Sequence, residues 1–198
     1  MSEAATHSPA TSPGTSGWEV RPARPEDAAA VATGVAALLC ELGATPPSHA
    51  AIEAEARAHI EDPSLGIVLI AAAERAPEPG DDTSPGVRSH FPADSAANCE
   101  LTGGGELVGV LTASWARAIQ VPGRMLTIEV LWTRRDFRDA GIGAALVEAL
   151  VVAAAEAGTN RVEVGLPRES FEAIRATERF YLANGFERLG PRMRKALS

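Results

Sequence analysis

The residues with the plainest chemical meaning are Arg138-Asp139-Ala140-Gly141-Ile142-Gly143. They follow a strand-like run over residues 127–133. They open a segment in which Ile142, Ala145, Leu146, Ala149, Leu150 and Ala153 recur at helical spacing. The first turn of a helix has backbone N–H groups without helical partners and carries the positive end of the macrodipole. Such a turn binds phosphate. Gly141 and Gly143 have no Cβ, so a diphosphate can approach the backbone closely. Arg134, Arg135 and Arg138 set positive charge around the same turn. The dinucleotide-binding GxGxxG and the Gly-Lys-Ser/Thr of a P-loop are both missing from this stretch. Two glycines at a helix start also suit a tight turn whose glycines serve packing, so the residues alone leave both readings open.

The elements that must position this turn can be read from patterning and punctuation. A strand is expected over 18–21. Arg24-Pro25-Glu26-Asp27 then opens a helix, with Pro in the first turn and acids at its positive end, running to about Leu42 before Gly43. Pro46-Pro47-Ser48 precedes a second helix over 50–60, ended by Asp62-Pro63. Residues 66–73 (GIVLIAAA) form a short apolar run suited to a buried strand. Residues 76–105 turn rich in Pro, Gly, Asp and Ser and read as a long, acidic, flexible insertion. Strand character resumes over 106–115, and Pro122-Gly123 marks a hairpin turn into 125–133. Gly158 caps the long helix. A strand over 161–166, a helix over 169–183 stopped by Asn184-Gly185, and two short strands at 186–189 and 193–197 complete the chain. Strand, two helices, three strands, helix, strand, helix and two strands make an α/β (α+β) arrangement around one mixed sheet.

Bulk composition narrows the function classes. The 198 residues suit one domain, here 18–198, behind a Ser-, Thr- and Pro-rich tail over 1–17 that reads as disordered. A net charge of −8 argues against nucleic acid as a partner and mildly favours neutral or cationic small molecules. Cys40 and Cys99 form no CxxC pair, and the four His residues lack metal-ligand spacing, so no metal is expected. No apolar run reaches membrane-spanning length. The reading is a cytoplasmic protein without a membrane segment.

Against this background the sequence resembles the GNAT superfamily of acyl-CoA-dependent N-acetyltransferases. Arg138-x-x-Gly141-x-Gly143 matches the family's Arg/Gln-x-x-Gly-x-Gly/Ala signature, and the run over 131–146 (LWTRRDFRDAGIGAAL) resembles the surrounding block. Phe180-Tyr181-Leu182-Ala183-Asn184-Gly185-Phe186 resembles the family's aromatic-Tyr-x-x-x-Gly-Phe segment. Weaker matches are Arg21-x-Ala23 with Asp27, and Leu107-Val108-Gly109-Val110-Leu111. The sequence departs from the pattern at Asp139, where the family usually has Gly, and at Ala140, where a basic residue is frequent. It departs again at Arg175 and Thr177, which replace a frequent Asn and Ala. An acid at position 139 weakens phosphate binding unless it points away or pairs with an Arg.

The resemblance implies a mostly antiparallel sheet that splays between its fourth and fifth strands, with helices on its flanks. It also implies direct transfer of an acetyl group from acetyl-CoA to a primary amine. The cofactor would lie against Leu131, Trp132 and Thr133 and on the turn Arg138, Asp139, Ala140, Gly141, Ile142, Gly143 and Ala144. A backbone N–H near Leu131 would stabilise the oxyanion. Tyr181, the only Tyr in the chain, would protonate the departing thiolate. Glu129 is the candidate base or water-positioning residue; on strict alternation it shares a strand face with Thr127, Leu131 and Thr133, opposite Ile128, Val130 and Trp132. His49 and His90 are remoter candidates. Arg168, Arg175 and Arg179 read either as phosphate neighbours or as a solvated face. The acceptor is expected to be a small-molecule amine, with a protein amine as the other acceptor class and a homodimer as the family analogy. Its pocket would come from the first two helices, the acidic insertion and residues 121–124. Two other readings remain: a non-catalytic CoA-binding sensor or interaction domain, and an unrelated α/β domain whose glycine turn is structural.

Overall fold

A computed structural model describes residues 17–74, 105–119 and 121–190. The expected tail over 1–17 except Gly17, the expected insertion over 76–105 except Gly105, His90 and the expected strand at 193–197 lie outside these residues; Gly105 begins the third strand. The elements are β1 (Trp18–Pro22), α1 (Ala28–Glu41), α2 (His49–Glu61), β2 (Gly66–Glu74), β3 (Gly105–Ala118), β4 (Val121–Thr133), α3 (Ile142–Glu156), β5 (Val162–Val164) and α4 (Ile174–Ala183). The strands form one sheet in the order β1-β2-β3-β4-β5, antiparallel except for the parallel β4–β5 pair. The expected mixed α/β architecture is therefore present.

Local chemistry accounts for several boundaries. Pro25–Asp27 makes a 3-10 turn ahead of α1, and the Asp27 carboxylate accepts from the Arg24 N–H at 2.7 Å. That carboxylate is fully buried and also receives Arg21 Nη1 at 2.7 Å and Nη2 at 3.1 Å, which ties β1 to the start of α1. Ser48 caps α2 by accepting from the Ala51 N–H. Gly43, at φ 71°, ends α1 in the left-handed conformation that glycine adopts freely.

Several boundaries differ from expectation, among them the strand expected over 161–166, which is only Val162–Val164. Pro122 and Gly123 lie inside β4, whose Val121 pairs with Ala118, so the hairpin turns at Ile119 instead. A proline is tolerated at a strand's first positions, where no ladder N–H is needed. The last helix begins at Ile174, not 169; residues 169–173 form turns, with Phe171 N–H bonding Arg168 O and Ile174 N–H bonding Phe171 O. Residues 186–189 are not a strand.

Each sheet face packs a separate core. One face holds Leu69, Ala71, Val108, Leu111, Leu126 and Ile128 against Ile142, Leu146, Val147 and Leu150 of α3 and Tyr181 of α4. The other holds Val68, Ile70, Leu107, Val110 and Trp132 against Ala28, Ala30 and Val31 of α1 and Ala56 of α2. Gly34 lets α1 approach closely, since a Cβ there would lie 2.8 Å from Val110 Cγ2 and 3.1 Å from Trp132 Cε3.

Candidate functional site

The site is set by an irregularity in β4. Thr112 pairs with Val130 and Ala113 with Ile128, so Glu129 has no partner on β3 and forms a one-residue bulge. A bulge breaks the two-residue period of a strand. Leu126 and Ile128 accordingly face α3, whereas Val130 and Trp132 face α1, and Leu131 returns to the α3 side. This corrects the strict alternation read from the sequence, which had put Ile128, Val130 and Trp132 on one face. The Trp132 side chain is buried beneath α1, and its Nε1–H is the one fully enclosed side-chain polar atom without a partner among the described residues.

The bulge also re-aims the backbone. Leu126 N–H bonds Arg161 O on the β5 side, while Arg134 N–H bonds Val108 O on the β3 side. N–H directions alternate along a strand. Counting back from Arg134, the N–H groups of Leu131 and Thr133 point away from β3. There they meet no strand among the described residues, because β5 pairs only with Leu126, Thr127 and Ile128. The sheet thus opens between β4 and β5 from Glu129 to Thr133, the splay that the family resemblance implied.

The glycine-containing turn lies at the end of this opening. Arg138 is extended, Asp139 has φ 66° and Gly141 has φ 82°, and α3 starts at Ile142 with no side-chain cap. Asp139 is the one non-glycine residue with positive φ among the described residues. That conformation explains why glycine suits this position in relatives, and Asp is among the few residues that tolerate it. The first backbone bond of α3 is Ala145 N–H to Gly141 O at 3.0 Å. Among the described residues the N–H groups of Asp139, Gly141, Ile142, Gly143 and Ala144 have no protein acceptor. The two signature glycines differ in surroundings. A Cβ on Gly141 would meet open space, whereas one on Gly143 would lie 3.3 Å from Phe180 Cε2 and Cζ and 3.9 Å from Thr133 Oγ1. Gly143 therefore serves the contact with α4 as well as any close approach to its backbone.

The arginines around the turn are not free charge, contrary to the cluster read from the sequence. Arg138 Nη2 donates to both oxygens of Glu41 at 2.8 and 2.6 Å, and its Nε donates to Thr133 O at 3.3 Å. Arg135 Nε is 3.6 Å from Glu41, and Arg134 pairs with Glu106 and Asp136. Three guanidiniums thus meet three carboxylates, two of them distant in sequence. Asp139 is exposed and pairs with none of these arginines.

On the α3 side, Tyr181 is 7 % exposed and sits between Phe180 and Phe186 in edge-to-face contacts, with ring centroids 5.2 and 5.3 Å apart. Burial pushes its phenol up to about 12. The hydroxyl has no hydrogen-bond partner among the described residues, yet it is not a fully enclosed atom, so it keeps an opening to the surroundings. The Glu129 side chain is exposed and makes no ion pair or hydrogen bond among the described residues. His49, at the start of α2, contacts Thr33 Oγ1 at 3.1 Å. Arg168, Arg175 and Arg179 are exposed, and Thr177 Oγ1 bonds its own helix at Ala173 O. Glu41 is the residue that sequence reading missed, because it lies 97 positions from its partner. No group of three or more His, Cys, Asp and Glu suited to a metal occurs among the described residues. No helix among them is long and apolar enough to cross a membrane.

The fold has parallels among solved structures. A possible acetyltransferase from Clostridium difficile 630 superposes with TM-score 0.65 at 13% identity, over 91% of this chain and 97% of that one. An aminoglycoside acetyltransferase from an uncultured soil metagenomic sample gives 0.61 at 18% identity, over 91% and 99%. A predicted acetyltransferase from Clostridium acetobutylicum, solved with acetyl-CoA, gives 0.61 at 14% identity, over 90% and 96%. At these identities the likeness is one of fold. Among curated proteins none matches the sequence. The family model described as acetyltransferase (GNAT) family matches residues 68–186, more than half of the chain, from within β2 through the Phe180–Phe186 segment. The chain belongs to the GNAT acetyltransferase family.

Proposed function

We propose that this protein is an N-acetyltransferase that moves an acetyl group from acetyl-CoA to a primary amine by direct attack. The observation that carries the reading is the set of amides at Asp139 and Gly141 to Ala144 that have no protein acceptor among the described residues, continuous with the open edge of β4. The amides and the α3 dipole suit the cofactor's diphosphate. The Leu131 and Thr133 edge suits the amides of the pantetheine arm, which would add to it as a strand does.

The residues then divide the chemistry. A neutral amine attacks the thioester carbonyl, forming the C–N bond and leaving negative charge on the oxygen. The Leu131 N–H, fixed in direction before the reaction, stabilises that oxyanion. Collapse breaks the C–S bond and releases a thiolate. Tyr181 donates its proton to the sulfur. A phenol at about 12 is a weaker acid than free tyrosine, but the same dry surroundings raise the thiolate's own proton affinity. The phenol is held fully protonated at neutral pH, as a donor must be. Glu129, exposed beside the opening, accepts the amine's proton directly or through water. The acceptor is a small amine, with a protein amine as the other class; a cytoplasmic location and a homodimer are parts of the same reading.

The neutralised arginines and Asp139 favour one rival, a CoA-binding domain without catalysis. Acetyl-CoA thermal shift followed by thiol release over a panel of amines separates the two. The panel should include aminoglycosides, polyamines and a peptide N-terminus. The transferase reading expects a shift and amine-dependent release. A shift with no release from any amine leaves the rival, and no shift removes both.

A further inference from the structure

We propose that Glu41 is an internal competitor for the cofactor: it holds Arg138 when the site is empty and yields that guanidinium to a CoA phosphate on binding. The inference rests on the reading of the 138–144 turn as the phosphate site. Three observations support it. Both Glu41 oxygens lie within 2.8 Å of one nitrogen, Nη2 of Arg138, so the other terminal nitrogen is left out of this contact. Arg138 is half-exposed and is held otherwise by the single bond to Thr133 O at 3.3 Å, so it can turn without breaking packed structure. Arg135 Nε, 3.6 Å from Glu41 and largely exposed, makes no hydrogen bond to it, so Arg138 is the only side chain hydrogen-bonded to this carboxylate among the described residues.

The charge arithmetic gives the direction. A carboxylate a few Å from the phosphate turn opposes a dianionic ligand twice, by repelling it and by occupying the nearest cation. Exposed ion pairs of this kind are weak, so a phosphate with more charge and more acceptors can displace one. Glu41 is the last residue of α1, and the bonds of Leu42, Gly43 and Ala44 back to Leu38, Cys40 and Leu39 close that helix. Releasing Glu41 therefore frees the end of α1 as the cofactor docks. Filling of the cofactor site and loosening of the face opposite α3 become one event.

Calorimetric titration with acetyl-CoA tests this in four proteins: wild type, Glu41→Gln, Arg138→Gln and the double variant. Glu41→Gln should tighten binding about fivefold. In the Arg138→Gln background the same change should alter affinity less than about twofold, because the competition runs through that guanidinium. A merely structural ion pair would give the opposite sign, with weaker binding on its loss. Unchanged or weaker binding by Glu41→Gln overturns the proposal, as does an equal gain in both backgrounds. Should the variant not fold, hydrogen exchange on the wild type decides: acetyl-CoA should speed exchange at Leu42, Gly43 and Ala44, and slower exchange there overturns the idea. A wild type that fails to bind acetyl-CoA overturns the transferase reading itself, and this inference with it.

Discussion

The two faces of the sheet are built on different principles. The α3–α4 face carries the open amides, the glycine turn and Tyr181, and leaves polar groups without protein partners where a ligand would lie. The α1–α2 face is closed: Asp27 is buried with every near donor satisfied, Gly34 brings helix against sheet, and Ala28, Ala30 and Val31 fill the gap. One face leaves backbone amides open, and the other pairs its buried carboxylate and packs helix tightly on sheet. The lesson is that unpaired backbone groups gather at one edge of the fold while the opposite face pairs its buried charge, with Trp132 Nε1 the exception among the described residues.

That division predicts which losses follow which substitutions. The largest effect should come from the closed face. Asp27→Ala leaves the Arg21 guanidinium and the Arg24 N–H without their acceptor and should cost about 3 kcal/mol of stability, read from denaturant unfolding. Acetyl-CoA affinity of the protein that remains folded should hardly change; a large affinity loss would merge the two faces into one unit.

Next in size, Tyr181→Phe should lower kcat about a hundredfold with acetyl-CoA binding within about twofold of wild type. An unchanged rate would remove Tyr181 from the chemistry. Because it is the only Tyr, ultraviolet titration of the folded protein reports it alone and should give a midpoint near about 12. The sign follows: the unfolded chain releases this proton near about pH 10 while the folded one retains it, so stability falls as pH rises from there toward 12. A midpoint near 10 would mean the ring is not in a dry setting.

Gly141→Val places a branched side chain at φ 82° beside the open amides and should weaken acetyl-CoA binding about tenfold by calorimetry. Normal affinity would show that the turn does not hold the cofactor. The smallest effect sharpens the same point. Asp139→Gly relieves a left-handed non-glycine residue and removes a negative charge, so stability should rise by about 0.5 kcal/mol and affinity by about twofold. A loss of affinity there would mean that the carboxylate assists binding.

Much of the fold was legible because its signals are local. Pro25 and Asp27 opened a helix region, Gly43 closed it, and the apolar period from Ile142 marked α3. The Pro122-Gly123 turn was misplaced because a proline reads the same whether it turns a hairpin or begins a strand. Residues 186–189 have strand composition but join no sheet among the described residues, and composition alone cannot supply a neighbour.

The sequence by itself determined that a glycine-bearing turn joins β4 to α3 and that an aromatic trio with one Tyr ends α4, since each is a run of adjacent residues. Only tertiary structure decided the rest. The Glu129 bulge exists because β3 and β4 pair out of step, which swaps the strand's faces and turns the Leu131 N–H toward the opening. The arginines lost their free charge because the fold brings Glu41 and Glu106 to them. Charge and register depend on neighbours in space, and no local pattern encodes a partner 97 residues away.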